Sequence, residues 1–308
     1  MQQSESVQPG KENGVMARLR DYLLLIKFSL TTMVVFSAVI SYLLAPKIVE
    51  YDWAMILLLF LAGMLVTGSA NTINQVVEKD TDALMKRTAN RPIASGRMSV
   101  TEGWAFAVIS GLLGVFLLWY FFNGLSAGLA AFSLFLYAFI YTPLKKVNSI
   151  SVLVGAFPGG LPCLIGFAAG NDTIFFGEHG WRDLGGWALF AIQFFWQFPH
   201  FWAIAWLSHK DYEAAGFRLL PSEKGPTKYS AIQSIIYSVF LIPVGLMPYF
   251  TGITGWVSLL ITLVCNLLMV ALSVRLYMKM EKSAARGVMF GSYLYLMIVF
   301  FALVADKV

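Results

Sequence analysis

The feature that most constrains this chain is a series of apolar runs of about 17 to 24 residues, separated by short polar connections. A helix of roughly 20 residues covers the hydrocarbon core of a bilayer, about 30 Å thick. A lone span in lipid has to satisfy its own backbone hydrogen bonds, so each run reads as a transmembrane helix. Nine candidate spans result: 28–45, 54–74, 102–120, 125–141, 150–169, 186–207, 230–250, 255–276 and 288–305. Only 13% of the 308 residues are charged, against roughly 25% in a soluble domain. The expected fold class is therefore an all-α polytopic membrane protein.

No long polar insertion separates the runs, so residues 21–308 are expected to form a single transmembrane domain. Residues 1–20 form a polar tail, expected to lack a fold of its own or to lie on the membrane surface. The first run is long enough to be a true span, so no cleavable signal peptide is expected. Cys163 and Cys265 fall in separate apolar runs, which argues against a disulfide framework and against a cysteine-based metal site.

Nineteen of the 22 lysines and arginines fall in the tail and in every second connection. Only Lys47, Arg182 and Lys307 fall on the other side. By the positive-inside rule the N-terminus is expected in the cytoplasm of a cell bounded by this plasma (inner) membrane, and the C-terminus outside. Topology thus accounts for the net charge of +5, and no nucleic acid partner is called for. Two acidic segments, 78–82 and 211–213, emerge on the same cytoplasmic face.

The first of these lies in NTINQVVEKDTDALMKRTANRPIASGRM, residues 71–98. If the preceding span continues as a helix, Asn74, Glu78 and Asp82 sit at about 0°, 40° and 80°, with Asn71 near 60°. Asp80 falls off that stripe. From Ala54 to Asn74 is about 30 Å of helix, so the stripe starts where hydrocarbon gives way to headgroups. A ligand with an anionic head and a long apolar tail would place its head there. Carboxylates repel an anion unless a cation intervenes, and oxygen ligands of this kind suit Mg²⁺ shared with phosphate oxygens. Arg87 and Arg91 would clamp the outer phosphate oxygens. On spacing alone, a solvated helix end with local ion pairs explains the stretch as well.

The string NQVVEKDTDALMKRTANRP (residues 74–92) closely resembles the first signature of the UbiA-type intramembrane prenyltransferases. YTPLKKVN, GGLPCLIG, WQFPHFW and DYEAAGFRLLP extend the match in order from about residue 20 to about residue 305. The last two strings are similar to the haem-farnesylating branch of that superfamily. Two departures stand out. The family usually has Asp where this chain has Glu78, and the second acid-rich motif is thinned to Asp211, Tyr212 and Glu213.

The resemblance implies nine helices around a cavity whose polar end faces the cytoplasm. It also implies a reaction in which farnesyl diphosphate ionises and a vinyl group of haem b attacks C1. Haem b (protohaem IX) is then a substrate, not a cofactor, and Mg²⁺ is the divalent cation. The partners implied are the lipid bilayer and downstream haem-modifying enzymes or a terminal oxidase. Asn74, Glu78, Asp82, Arg87 and Arg91 take the catalytic role, and Asn74, Glu78, Asp82 and Asp211 the metal. Asn71, Tyr141, Lys145, Lys146, Trp202, Lys210 and Asp211 are expected to bind substrate.

His200 lies about 10 Å below the cytoplasmic end of its span. An ionisable group at that depth is a functional candidate, and neutral imidazole ligates haem iron; a hydrogen bond to a neighbouring helix explains it equally well. Two other readings use the same residues differently. A prenyltransferase for an aromatic quinone precursor would not need His200. A transporter would place its ionisable groups near the midplane, not at one interface. The charge asymmetry yields a direct test. A reporter fused after Val308 should read as external and one at Ser222 as cytoplasmic; both on the same side would overturn the expected topology.

Overall fold

The computed structural model describes residues 14–145, 147–222 and 224–308. The first thirteen residues of the expected tail and the Lys146 candidate lie outside that set. Among the described residues the regular structure is helical, apart from an isolated bridge between Thr254 and Lys307. Helices α1 (Gly14–Leu25) and α2 (Phe28–Leu43) are followed by α3 (Trp53–Val77), the short α4 (Lys79–Leu84) and α5 (Val100–Phe121). Helix α6 (Gly124–Phe135) runs through a π-helical stretch, Leu136–Tyr141, into α7 (Thr142–Leu144). Then come α8 (Ser151–Asn171), α9 (Gly185–Leu207), α10 (His209–Ala214), α11 (Lys228–Phe250), α12 (Trp256–Lys279) and α13 (Lys282–Ala305).

Each of the nine expected spans has a helix. Among the described residues, seven are long and apolar enough to cross a membrane, or eight if α1 and α2 together make one bent span. The remaining one, α9, has 23 residues but is diluted by Gln193, Gln197, Pro199 and His200 among its aromatics. The count of nine is thus approximate, because α9 is too polar to qualify on composition. Residues 14–20, placed by the sequence in the polar tail, belong to α1, which exposes Val15, Met16 and Leu19.

Helix α8 occupies the middle of the bundle. Every residue from Gly160 to Asn171 is buried, and the helix packs on α2, α6 and α9. Helices α3 and α5 complete one side; α11, α12 and α13 pack around α9 on the other. Two backbones touch where α8 crosses α2, since a Cβ at Gly166 would collide with the carbonyl of Ala38. Only glycine allows that approach.

The chain bends by 52° between α1 and α2. Lys27, at the break, has φ 51° and ψ 58°, the left-handed conformation, which costs a non-glycine residue roughly 1–2 kcal/mol. A break exposes backbone carbonyls, and in lipid these need partners. Helix α3 supplies them. Gln75 Nε2 donates to Leu24 O (3.0 Å) and Leu25 O (2.8 Å), and Asn71 Nδ2 donates to Ile26 O (3.3 Å) and Thr31 Oγ1 (3.0 Å). Two amides on α3 thus fix the bend, and the bend turns Lys27 toward Asn74.

At the opposite end of the bundle, Lys307 Nζ donates to the carbonyls of Leu43, Ala45 and Ile48, closing the end of α2. This end carries few cations and none of the candidate site residues.

Candidate active site

The helical stripe read from the sequence is present. Helix α3 ends at Val77, yet Glu78 N bonds Asn74 O (3.0 Å) and Asp82 N bonds Glu78 O (2.7 Å), so the i to i+4 ladder continues into α4. Asn71, Asn74, Glu78 and Asp82 are all buried, Asp82 completely, while Asp80 is exposed. A buried carboxylate is tolerable only with a counter-charge. Lys145 Nζ lies 2.8 Å from Glu78 Oε1, and this lysine is itself 7% exposed. Arg91 Nη1 bridges both oxygens of Asp82, at 2.8 and 2.7 Å. Burial raises the Asp82 carboxyl above its ordinary range, and Arg91 pulls against that shift.

Lys27 completes the group. Its Nζ donates to Asn74 Oδ1 at 3.2 Å, leaving Asn74 Nδ2 buried without a partner among the described residues. As placed, Asn74 offers a donor, the group a phosphate oxygen accepts from. Its metal-ligand role would need the amide turned over. Tyr141 and Phe217 present ring faces to Lys145, with Nζ 4.7 and 6.0 Å from the centroids.

Two cavities adjoin the elements that carry this group, and the second is lined by Lys27 and Arg91 themselves. One, of about 110 Å³, is a narrow apolar tunnel running between α2, α3, α6 and α8. Asn71 and Tyr137 line it together with aliphatic groups such as Leu59, Val66 and Ile165, and Pro158 and Pro162 of α8 shape its wall. The other is an open vestibule of about 1000 Å³ at the same end of the bundle, lined by Arg20, Lys27, Arg87, Arg91 and Arg97 with Asp21. Leu30 borders both.

The second acidic segment reaches the site through an aromatic residue. Arg87 Nη2 donates to Tyr212 OH at 2.9 Å, and its guanidinium lies 5.5 Å from the Tyr212 ring centre. Met85, Ala215 and Phe217 pack beside them, joining the loop after α4 to α10. Asp211 is half-buried on α10 and Lys210 is exposed. Among the described residues no three His, Cys, Asp or Glu side chains form a metal-holding group, so Asp211 is not assembled with Glu78 and Asp82. Lys27, Tyr137 and Tyr212 are the residues sequence reasoning missed. Tyr212 sits inside a quoted motif, while Lys27 read only as a topogenic charge.

His200 and Trp202 lie apart from the carboxylates. Trp202 packs with Phe198, Val152 and Leu220 and meets Tyr237 edge-on. His200 is buried and stacks on Trp196, with Nδ1 2.8 Å from Ser292 Oγ. The same hydroxyl lies 2.6 Å from Met289 O, so His200 is tied through Ser292 to α13.

The donor set fits a hard cation. Glu78 and Asp82 act on each other electrostatically across a site that also holds the amide of Asn74. Mg²⁺ is held by one or two carboxylates and completes its shell with phosphate and water.

Comparison with known proteins shows the family and the fold. The UbiA prenyltransferase family matches residues 34–302. A protoheme IX farnesyltransferase from Cytophaga hutchinsonii is 41% identical over 292 residues, spanning 95% of this chain and 99% of the relative. One from Solibacter usitatus is 37% identical over 300 residues, spanning 94% and 99%. Among solved structures, digeranylgeranylglyceryl phosphate synthase superposes with a TM-score of 0.76 at 21% identity, covering 94% of this chain and 99% of that one. A UbiA homolog from Archaeoglobus fulgidus bound to GPP and Mg2+ superposes with a TM-score of 0.63 at 17% identity, covering 92% and 99%.

The buried pairs predict an asymmetry between two variants. Arg91→Ala strands Asp82 without its counter-ion and should lower stability in detergent by about 3 kcal/mol or more. Asp82→Asn leaves Arg91 facing the open vestibule, so thermal unfolding should change by only about 1 kcal/mol while turnover is largely lost. Equal destabilisation by both would contradict the pairing.

Proposed function

The chain belongs to the UbiA prenyltransferase family, and from that premise we propose that it transfers the farnesyl group of farnesyl diphosphate to a vinyl group of protohaem IX. The observation that carries the donor half is an apolar tunnel, lined by Asn71, beside a buried cluster of Lys27, Glu78, Asp82, Arg91 and Lys145 built on the same helical stripe. The acceptor half is supported by relatives of about 40% identity over nearly the whole chain that carry the name protoheme IX farnesyltransferase. Those names favour haem over a quinone precursor, and the family membership disfavours a transporter.

The chemistry follows from charge. Ionisation breaks the C1–O bond, and the electron pair leaves on the diphosphate. Groups that grip this leaving group more tightly as its charge grows lower the barrier. Arg91 and Lys145 already lie against the carboxylates, and Lys27 and Arg87 flank them from the vestibule side. Asn74 Nδ2 donates its unused hydrogen to a phosphate oxygen. Mg²⁺, which Glu78 and Asp82 would hold, supplies further charge neutralisation on the diphosphate when bound. A Mg²⁺-bound prenyl diphosphate is what the Archaeoglobus homolog's structure describes.

The tunnel keeps water from the isoprenoid, and ring faces such as those of Tyr137 and Tyr141 stabilise an allylic cation near its mouth. The vinyl π pair then forms the new carbon–carbon bond to C1. Water adds to the cation left beside the porphyrin and loses a proton, giving a hydroxyethylfarnesyl side chain. His200 is buried against Trp196, Phe201, Tyr293 and Ser292, contacts that suit the helix-packing reading of this residue rather than an iron contact. The cation-rich end of the bundle would face the cytoplasm, with the whole chain in the plasma membrane and its product passing to a terminal oxidase or a further haem-modifying enzyme.

Purified protein mixed with haem b, farnesyl diphosphate and Mg²⁺ should yield a haem heavier by a farnesyl group and one hydroxyl, read by mass spectrometry. Prenylation of an aromatic acid with no haem product would replace this reading with the quinone-precursor one.

A further inference from the structure

The farnesyl chain accounts for the tunnel and its diphosphate for Lys27, Arg87 and Arg91, but the rest of the vestibule, with Arg20 and Arg97, is left unused. At about 1000 Å³ the vestibule is larger than the tunnel and at the upper end of the roughly 300–1,000 Å³ that small-molecule sites occupy. Its walls are of two kinds. Among the described residues Arg20, Lys27, Arg87, Arg91 and Arg97 line it together with Asp21, while Leu23, Phe28 and Leu30 give it an apolar side. Arg97 is held in place by Asp21 Oδ1 (2.9 Å), Asn90 O (2.9 Å) and Ser95 Oγ (2.7 Å), which pins the loop to α1. Cations fixed beside an apolar wall suit a flat amphiphile with more than one carboxylate, since guanidinium groups match carboxylate geometry.

Position narrows the ligand further. Lys27 and Arg91 belong both to the vestibule and to the cluster around Glu78 and Asp82, and Leu30 belongs to both cavities. The vestibule therefore borders the tunnel at Leu30, beside the groups that would hold a prenyl diphosphate. A transfer between two substrates needs its acceptor at that junction. Arg20 lies seven residues before Lys27, about 10 Å further out along α1, a separation on the order of the width of a porphyrin ring. Protohaem IX carries its two propionates on the edge opposite its vinyl groups.

We propose that the vestibule is the acceptor site, with Arg20 and Arg97 at its outer lip binding the propionates so that a vinyl edge points inward toward Lys27 and Leu30. This inference rests on the haem-farnesylating reading and adds to it where the acceptor sits and which groups recognise it. It also accounts for the five cations lining the vestibule where the diphosphate alone needs those nearest Glu78 and Asp82. An anionic lipid headgroup shares this chemistry but has no vinyl edge to present, so it would give no dependence of turnover on the acceptor's own carboxylates.

The test compares haem b with its dimethyl ester, whose propionates are uncharged, as acceptors for the wild type, Arg20→Gln and Arg20→Lys. The KM of the wild type for the ester should exceed that for haem b by roughly tenfold or more, the loss expected for a charge-assisted contact. Arg20→Gln should raise KM for haem b by a similar factor, leave KM for the ester and for farnesyl diphosphate unchanged, and be largely rescued in Arg20→Lys. Equal use of ester and free acid by the wild type would overturn the inference while leaving the activity intact. An Arg20→Gln defect of the same size with both acceptors would also overturn it, marking a structural role. If neither porphyrin is farnesylated, the haem reading itself falls and this inference with it.

Discussion

Two carboxylates buried at the end of a membrane helix have to be neutralised, and much of this molecule is arranged around that requirement. Glu78 and Asp82 sit at the foot of α3, where lipid would make an unpaired charge cost several kcal/mol. Their partners come from different places. Lys145 arrives after the π-helical stretch that ends α6, Arg91 from the loop after α4, and Lys27 from the break between α1 and α2. Each requires a local distortion, and each distortion is itself held by polar groups: Gln75 and Asn71 at the bend, Thr142 Oγ1 on Tyr137 O in the π-helical stretch, Thr88 Oγ1 on Asp82 O in the loop.

The same arrangement explains how a charged site coexists with an apolar tunnel. In the structure Arg91 and Lys145 satisfy the two carboxylates, while Lys27 donates to the neutral amide of Asn74. In the proposed reaction Lys145, Arg91 and Lys27 would take the diphosphate oxygens, and Glu78 and Asp82 would hold the divalent cation. Binding then exchanges one set of ion pairs for another, with little new desolvation, which keeps the cost of loading the site low. The orphaned Asn74 Nδ2 is the one buried donor in this cluster that the exchange leaves better satisfied than before.

How much of this was legible in the sequence depends on the range of the interaction concerned. The spans are set by length and apolarity, which single segments carry, and the stripe of Asn74, Glu78 and Asp82 follows from 100° per residue. Lys145 and Arg91 were recognisable as candidates because they sit inside quoted motifs. The break at Lys27 was not legible: residues 21–45 contain no Gly or Pro to mark it, and what stabilises the left-handed turn is a pair of amides some 45 to 51 residues away. Tyr212 was missed for a similar reason, since its link to Arg87 spans 125 residues. Asn71 was expected to bind substrate. It does line the tunnel, but its amide hydrogens are spent on Ile26 and Thr31, so its main mechanical effect is on the bend.

The central claim is that the buried ion pairs stand in for the metal and diphosphate and are displaced by them together. Calorimetric binding of an unreactive thiolo analogue of farnesyl diphosphate, in Mg²⁺ and again in excess chelator, tests this most directly. The account predicts that the chelator weakens binding by roughly a hundredfold, since a diphosphate arriving alone must face Glu78 and Asp82 without their counter-ions. Equal affinity in both conditions would mean that the carboxylates keep their lysine and arginine partners throughout, and would contradict it.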